Sequence, residues 1–77
     1  MALDLHGYTI HGAWQKFNIV IDQCYWNGVK SITVITGRSG PICREFPTWA
    51  TNHMRVRDFE LKQNQGSWKV YINKKKV

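Results

Sequence analysis

A nearly continuous apolar run, Val29 to Thr36, constrains the fold of this 77-residue chain most strongly. The run is rich in β-branched residues, which is typical of a buried strand. A long helical pattern precedes it, and before that pattern residues 2–6 alternate apolar and polar side chains. Two strands joined through a crossover helix run parallel. The N-terminal half therefore predicts a strand–helix–strand unit.

The helix of this unit is predicted from Thr9, which can cap its first turn, to Asn27-Gly28. Apolar residues recur there at spacings of three and four, as in a helix with one buried face. They are Ala13, Trp14, Phe17, Val20, Ile21, Cys24 and Tyr25. Trp14 is therefore expected in the core, as are Trp49 and Trp68 of later apolar stripes.

The second half of the chain predicts one more helix and two more strands. Pro41 can open the helix, whose inner face would carry Ile42, Phe46, Trp49 and Ala50, and Pro47 should kink or split it. Residues 56–62 and 67–73 alternate as strands do, with a turn at residues 64–66. The predicted fold class is an α/β (α+β) two-layer sandwich, β-α-β-α-β-β, with a four-stranded mixed sheet and both helices on one face. We treat residues 1–77 as one domain with a basic tail at 74–77.

Composition narrows the class of partner. Eleven Lys and Arg against five Asp and Glu give a formal charge of +6, which favours a polyanion such as nucleic acid or the ribosome. The alternative is a small basic protein whose charge only keeps it soluble.

The two cysteines and the N-terminus indicate a cytoplasmic protein. Cys24 and Cys43 form no CxxC pair, so we expect reduced thiols in or near the core and neither disulfides nor zinc. The sequence has no basic segment followed by an apolar stretch at its start and no apolar run long enough for a membrane span. A membrane partner is therefore not expected.

Asp4 and His6 are the first candidate site residues. If Leu3 and Leu5 pack under the helices, a strand places Asp4 and His6 on the opposite face, about 7 Å apart. Lys69 and Tyr71 should emerge on that face from the last strand. Histidine moves protons near neutral pH, and a carboxylate can orient it or accept a proton itself. The alternative is a surface Asp-x-His pair without a role.

The second candidate site is the loop Thr36-Gly37-Arg38-Ser39-Gly40, which leads from the buried strand into Pro41. Helix N-termini offer unpaired N–H groups to phosphate, and Arg38 can fork onto phosphate oxygens. Glycines there could also serve turn geometry alone. In parallel sheets ligands bind at the carboxyl ends of strands, which is where this loop and His6 both lie. The sequence therefore predicts a phosphate-binding loop beside His6.

Several segments together resemble the small MutS-related (Smr) domain, a family of nucleic-acid endonuclease domains. Residues 3–7, Leu-Asp-Leu-His-Gly, match its LDLHG signature, and residues 35–38 resemble the start of its HGxG or TGxG loop. Ala13 lies where the first helix usually has an alanine. Residues 42–49 resemble the second helix, and residues 66–72 the glycine turn and final strand. The resemblance covers essentially the whole chain.

This resemblance implies a fold similar to the C-terminal domain of bacterial translation initiation factor three. It also implies catalytic roles for Asp4 and His6 and phosphate binding by the glycine loop. The chain departs from the family pattern at two places. Ser39 replaces the second glycine of TGxG, with Gly40 one position later, and Gln65-Gly66 replaces a double glycine.

The five acidic residues are scattered, so no metal cage is predicted and no cofactor is expected, although a single Mg²⁺ at Asp4 is compatible with the sequence. Metal-free acid–base chemistry is easiest when the ribose 2′-hydroxyl is the nucleophile, which favours RNA over branched or single-stranded DNA. Arg57, Lys69 and the C-terminal lysines would position the strand.

The remaining alternative is a non-catalytic module that binds nucleic acid or the ribosome and needs Arg38 and Lys69 but not His6. Trp26 and Tyr71 could be exposed and stack on bases, with Tyr71 favoured because it should share the site's face. His11 and His53 are expected to have ordinary surface roles.

Overall fold

The structure is a computed structural model that describes residues 2–74 as four strands and two helices. The strands are β1 (Ala2–Asp4), β2 (Ser31–Ile35), β3 (Val56–Leu61) and β4 (Ser67–Ile72), and the helices are α1 (Ile10–Trp26) and α2 (Pro41–Asn52). The sheet order is β1-β2-β4-β3, with β1 parallel to β2 and β4 antiparallel to both neighbours. The predicted order of elements and the mixed sheet are confirmed. Beyond Lys74, the predicted basic tail lies outside the described residues.

One face of the sheet and the inner sides of both helices form the core. Strand pairing places Ile32 beside Val70 and Val34 beside Leu3, and all four are buried. The helices contribute Ala13, Phe17, Val20, Ile21, Cys24, Ile42, Phe46 and Ala50. Both helices therefore cover one face, as predicted. We call the opposite face of the sheet the open face. Among residues 2–74, no helix is long and apolar enough to cross a membrane.

Helix α1 begins where the sequence predicts, because Thr9 caps it. The Thr9 Oγ1 accepts a hydrogen bond from the Gly12 N–H at 3.0 Å. The buried stripe is narrower than predicted, however, since Trp14 is 42% exposed. Trp14 lies at the edge of the stripe and lines a groove with Asn18 and Trp49. Its placement in the core is therefore wrong, whereas Trp49 and Trp68 pack against the core as predicted.

Helix α2 is continuous through Pro47, so the predicted split does not occur. The tertiary contacts of its inner face outweigh the local cost of an interior proline. Phe46 is fully buried, and its ring centroid lies 5.2 Å from that of Phe17 and 5.1 Å from that of Trp68. Phe46 thus joins both helices to the sheet.

His53 follows α2, and the prediction of an ordinary surface role for it is wrong. Its side chain is only 10% exposed and its ring packs edge-on against Phe17. The Nδ1 atom accepts the Arg55 N–H at 3.1 Å. Burial lowers the pKa of His53 below its ordinary range; the Asp22 carboxylate, 3.8 Å from Nε2, opposes this shift and Arg55 adds to it.

Candidate active site

His6 lies at the tip of an exposed turn that follows β1. The Tyr8 N–H donates to the Leu5 carbonyl at 3.2 Å, which closes a four-residue turn. Gly7 has φ +84°, a conformation that glycine adopts without the steric cost paid by other residues. The Leu5-His6-Gly7 sequence therefore forms a turn that projects the imidazole into solvent. The predicted strand through His6 is shorter than expected, because β1 ends at Asp4.

Asp4 holds this turn through its side chain. Its Oδ1 accepts the His6 backbone N–H at 2.9 Å, and both residues are exposed. Within residues 2–74, Asp4 makes no hydrogen bond to the His6 imidazole. The carboxylate thus positions the backbone of His6 through Oδ1, and the side chain as a whole is exposed.

The predicted phosphate loop starts beside this turn. Asp4 pairs with Ile35 in the parallel register of β1 and β2, and the Leu5 N–H donates to the Ile35 carbonyl at 2.8 Å. Strands β1 and β2 both end immediately afterwards, at the edge of the sheet where their carboxyl ends lie side by side. The structure therefore brings His6 and the loop at residues 36–40 together at one edge, as parallel pairing requires.

Thr36 stabilises the loop from below and does not face solvent. It is buried, and its Oγ1 accepts the Trp68 Nε1–H at 3.0 Å and donates to the Gly37 carbonyl. The Gly66 carbonyl accepts the N–H groups of both Thr36 and Gly37. Two of the predicted phosphate donors are therefore already used by the fold. Thr36 therefore contributes to the fold of the loop, and its predicted contact with phosphate stays a prediction.

The remaining part of the loop is open to a ligand. Arg38 and Ser39 are exposed, and Gly40 caps α2 without any side-chain hydrogen bond. Pro41, the first residue of α2, has no N–H to donate, so the N–H groups that no side chain caps in the described part of the chain are those of Ile42 and Cys43. Among the described residues, the loop's positive φ angles fall on Gly37 and Gly40 and not on Ser39. The displacement of the second glycine by one position thus leaves no residue of the loop strained.

The open face carries the other predicted contacts. Strand pairing places Lys69 beside Thr33 and Tyr71 beside Ser31, on the same face as Asp4. The Tyr71 hydroxyl donates to Glu60 Oε1 at 3.0 Å, and the Lys69 Nζ lies 5.2 Å from the ring centroid. The guanidinium of Arg57 lies 5.6 Å from the same centroid, and Arg57 itself lies at the register shift between Val56 and Asp58.

Two residues of the site region were missed by sequence reasoning. The sequence predicts Gly66 only as part of a turn, yet its carbonyl accepts the hydrogen bonds that hold the loop at residues 36–40. No sequence signal marks a backbone carbonyl as an acceptor. Lys62 was considered only as the end of a strand. Leu61 pairs with Trp68 on the helix-covered side of the sheet, although it is itself exposed, so alternation along the strand places Lys62 on the open face. The Lys62 Nζ donates to Thr33 Oγ1 at 3.1 Å.

Other side chains lie far from this edge or form no site. Trp26 is 56% exposed, as predicted, but it lies at the end of α1, where the Arg55 guanidinium is 5.3 Å from its ring centroid. Cys24 and Cys43 are free thiols, and burial raises the pKa of Cys24. Residues 2–74 contain no group of three or more His, Cys, Asp or Glu side chains placed to hold a metal ion.

The chain matches known proteins in sequence and in fold. A model of the Smr domain matches residues 3–72. The crystal structure of the Smr domain of Thermus thermophilus MutS2 is similar, with a TM-score of 0.88 and 17% identity, over 94% of this chain and 96% of that chain. The comparison with curated proteins found no match. Because the family match extends over nearly all of the residues, the chain belongs to the Smr domain family.

Proposed function

We propose that this Smr domain is an endonuclease that cleaves RNA. Its catalytic residues would be Asp4 and His6, in the turn that follows β1. The Smr family has nuclease and nucleic-acid-binding roles in general, and some members are nucleases. One observation carries the proposal: the Asp4 carboxylate holds the exposed His6 at the same sheet edge as an uncapped helix N-terminus. The acid–base pair would then act on the same phosphate that the loop at residues 36–40 binds.

The loop would bind the scissile phosphate. Arg38 supplies a guanidinium whose forked donors match two phosphate oxygens, and the uncapped N–H groups of Ile42 and Cys43 at the start of α2 would add to them. These donors also stabilise the negative charge that grows on the phosphate in the transition state. Gly66 leaves room for the Arg38 side chain, since a Cβ at this position would lie only 3.2 Å from the Arg38 Cγ.

Asp4 and His6 would share two proton transfers. The 2′-hydroxyl attacks the phosphorus while its proton passes to the free Oδ2 of Asp4. The bond from phosphorus to the 5′ oxygen breaks, and that oxygen takes a proton from the His6 imidazolium. The products are a 2′,3′-cyclic phosphate and a 5′-hydroxyl. RNA is preferred because DNA lacks the internal nucleophile, which acts at a high effective concentration.

The first experiment compares substrates. The purified protein is incubated with end-labelled single-stranded RNA and DNA of one sequence, with Mg²⁺ or with EDTA. We expect RNA cleavage that persists in EDTA and leaves a 2′,3′-cyclic phosphate. Cleavage of DNA would contradict the proposed chemistry, because DNA has no 2′-hydroxyl. Cleavage that stops in EDTA would contradict it as well and would point to a bound Mg²⁺ at Asp4. Salt-sensitive binding without any cleavage would identify a binding module.

The second experiment separates chemistry from folding at Asp4. Asp4→Asn keeps an oxygen that can accept the His6 N–H, so the turn should persist while the charge is lost. We expect Asp4→Asn and His6→Ala each to lower kcat at least 100-fold, the usual contribution of a positioned acid or base, with binding retained. Asp4→Ala removes the turn as well and serves as the comparison. If Asp4→Asn cleaves normally and only Asp4→Ala fails, Asp4 is structural and not a proton acceptor.

A further inference from the structure

We propose that Lys62 binds the phosphate next to the scissile one, so that the substrate strand runs from the His6 turn across the open face toward β4. This inference rests on the proposed function, since it extends the path of the same nucleic acid. It assigns a role to a lysine that belongs neither to the LDLHG motif nor to the glycine loop.

The Lys62 side chain reaches across the sheet. Lys62 follows Leu61, which pairs with Trp68 on the core side, so the neighbouring residue is directed to the open face. Its Nζ donates to Thr33 Oγ1 at 3.1 Å, and Thr33 belongs to β2, with β4 lying between them. The ammonium group therefore lies near the centre of the open face and not at the outer edge of β3.

This position is close to the Asp4 side chain. Thr33 precedes Ile35 by two residues, and Ile35 pairs with Asp4. Two residues along a strand span about 7 Å and return to the same face. Because Thr33 pairs with Ala2, Asp4 lies about 7 Å along and about 4.8 Å across the sheet from the residue that holds the ammonium. This diagonal separation is on the order of one nucleotide of an extended strand.

The charge of Lys62 is uncompensated in the described part of the chain. Its ammonium bonds a neutral hydroxyl, and no Asp or Glu oxygen lies within 4.0 Å, although Glu60 shares the open face. Glu60 is bound by the Tyr71 hydroxyl instead. Lys69, which pairs with Thr33, adds a second cation to the same row. A fixed and unpaired ammonium beside a second cation is suited to a phosphate.

The carboxylates of β3 indicate where the strand does not run. Glu60 pairs with Lys69 and Asp58 pairs with Tyr71, which places both acids along the outer side of the open face. Like charges repel a polyanion, so the favourable path lies over β2 and β4. The path then leads from His6 past Lys62 toward Lys69.

The test measures binding, so that it stays separate from cleavage. Lys62→Gln is made in a His6→Ala background, and its affinity for fluorescein-labelled single-stranded RNA is measured at several salt concentrations. Loss of one phosphate contact on a single strand should reduce the slope of log K against log salt by about 0.7, which is about fivefold weaker binding at about 0.1 M salt. Lys16→Gln is the matched control, because Lys16 is exposed on α1 in the opposite layer.

Two further variants sharpen the reading. Lys62→Arg keeps the charge and should keep the slope, while Thr33→Val removes the hydroxyl that positions Lys62 and should weaken binding without changing the slope. An unchanged slope in Lys62→Gln, equal to that of Lys16→Gln, would overturn the inference. Absence of cleavage by the unmodified protein would refute the endonuclease proposal alone, because the slope still reports whether Lys62 contacts phosphate.

Discussion

A single carboxylate, that of Asp4, can serve both structure and chemistry in this domain. A short acidic side chain can accept the N–H of the residue two positions later, and this is the contact between Asp4 and His6. The spacing in Leu-Asp-Leu-His-Gly therefore has a backbone reason in addition to the shared strand face. Gly7 completes it by supplying the positive φ that the turn needs. At the scale of single residues, motif spacing encodes a turn.

His53 provides a prediction of pH dependence at this scale. Its pKa is lowered in the folded state, mainly by burial, so folding favours the neutral ring. Above about pH 6.5 both states are neutral and its contribution is constant. As pH falls below that value, the unfolded state takes up a proton that the folded state does not, and stability is lost progressively. We expect the free energy of unfolding to fall as the pH drops below about 6.5.

Urea unfolding over this pH range checks the expectation with His53→Asn. Asparagine can keep an acceptor for the Arg55 N–H, but it does not titrate. The variant should lose less stability on acidification than the unmodified protein. His11→Asn, at an exposed position on α1, controls for the loss of any imidazole. Parallel pH curves for the unmodified protein and His53→Asn would contradict the assigned burial of His53.

The elements around the candidate active site depend on the turn between β3 and β4. Asn64 Oδ1 accepts hydrogen bonds from Gly66 N–H and from both the N–H and the hydroxyl of Ser67. Gln65 between them has φ +59°, the left-handed conformation in which glycine is favoured. The departure from the family's double glycine therefore keeps the turn geometry and adds local strain. The turn also places the Gly66 carbonyl where it accepts the N–H groups of Thr36 and Gly37.

Gln65→Gly should relieve that strain. A left-handed conformation costs a residue with a side chain about 1–2 kcal/mol, and the added flexibility of glycine in the unfolded chain offsets about 0.5–1 kcal/mol of the relief. We expect a net stabilisation of up to about 1.5 kcal/mol, measured by urea unfolding. Gln63→Gly, at an exposed position just before the turn, should destabilise or leave stability unchanged. Destabilisation by Gln65→Gly would show that the Gln65 conformation carries no strain.

At the scale of the whole molecule, stability depends on a small aromatic core. A chain of this length has a total stability of about 4–12 kcal/mol. Phe46 contacts Phe17 on α1, Trp49 on its own helix, and Phe59 and Trp68 on the sheet. One side chain therefore connects both layers, and its loss should be felt by the entire domain.

Truncating Phe46 tests this dependence. Phe46→Ala should cost about 3–5 kcal/mol, a large part of the total, and should leave much of the protein unfolded at 37 °C. Phe46→Leu should cost less, because most of the volume is retained. Thermal unfolding followed by circular dichroism measures both. Phe59→Leu, at a half-buried position on β3, is the comparison and should cost less than Phe46→Leu.

The predictions that the structure confirms are those that depend on local sequence information. Apolar periodicity predicted the order of the elements, the side of the sheet on which Asp4 lies, and the helix that Thr9 begins. Each of these depends on side-chain spacing along one segment. Family membership followed from motifs that are also local.

Only the tertiary structure decided the rest. Trp14 lies on an apolar stripe, yet the neighbouring helix leaves it half exposed; His53 looks like a helix-end residue, yet Phe17 covers it. Thr36 belongs to the predicted phosphate-binding loop, and its hydroxyl is bound by Trp68, which is distant in sequence. Lys62 reaches Thr33 because β4 pairs with both β2 and β3 and so brings these two strands into one sheet. Sequence spacing determines which face of an element a residue occupies, whereas packing between distant segments determines what that residue contacts.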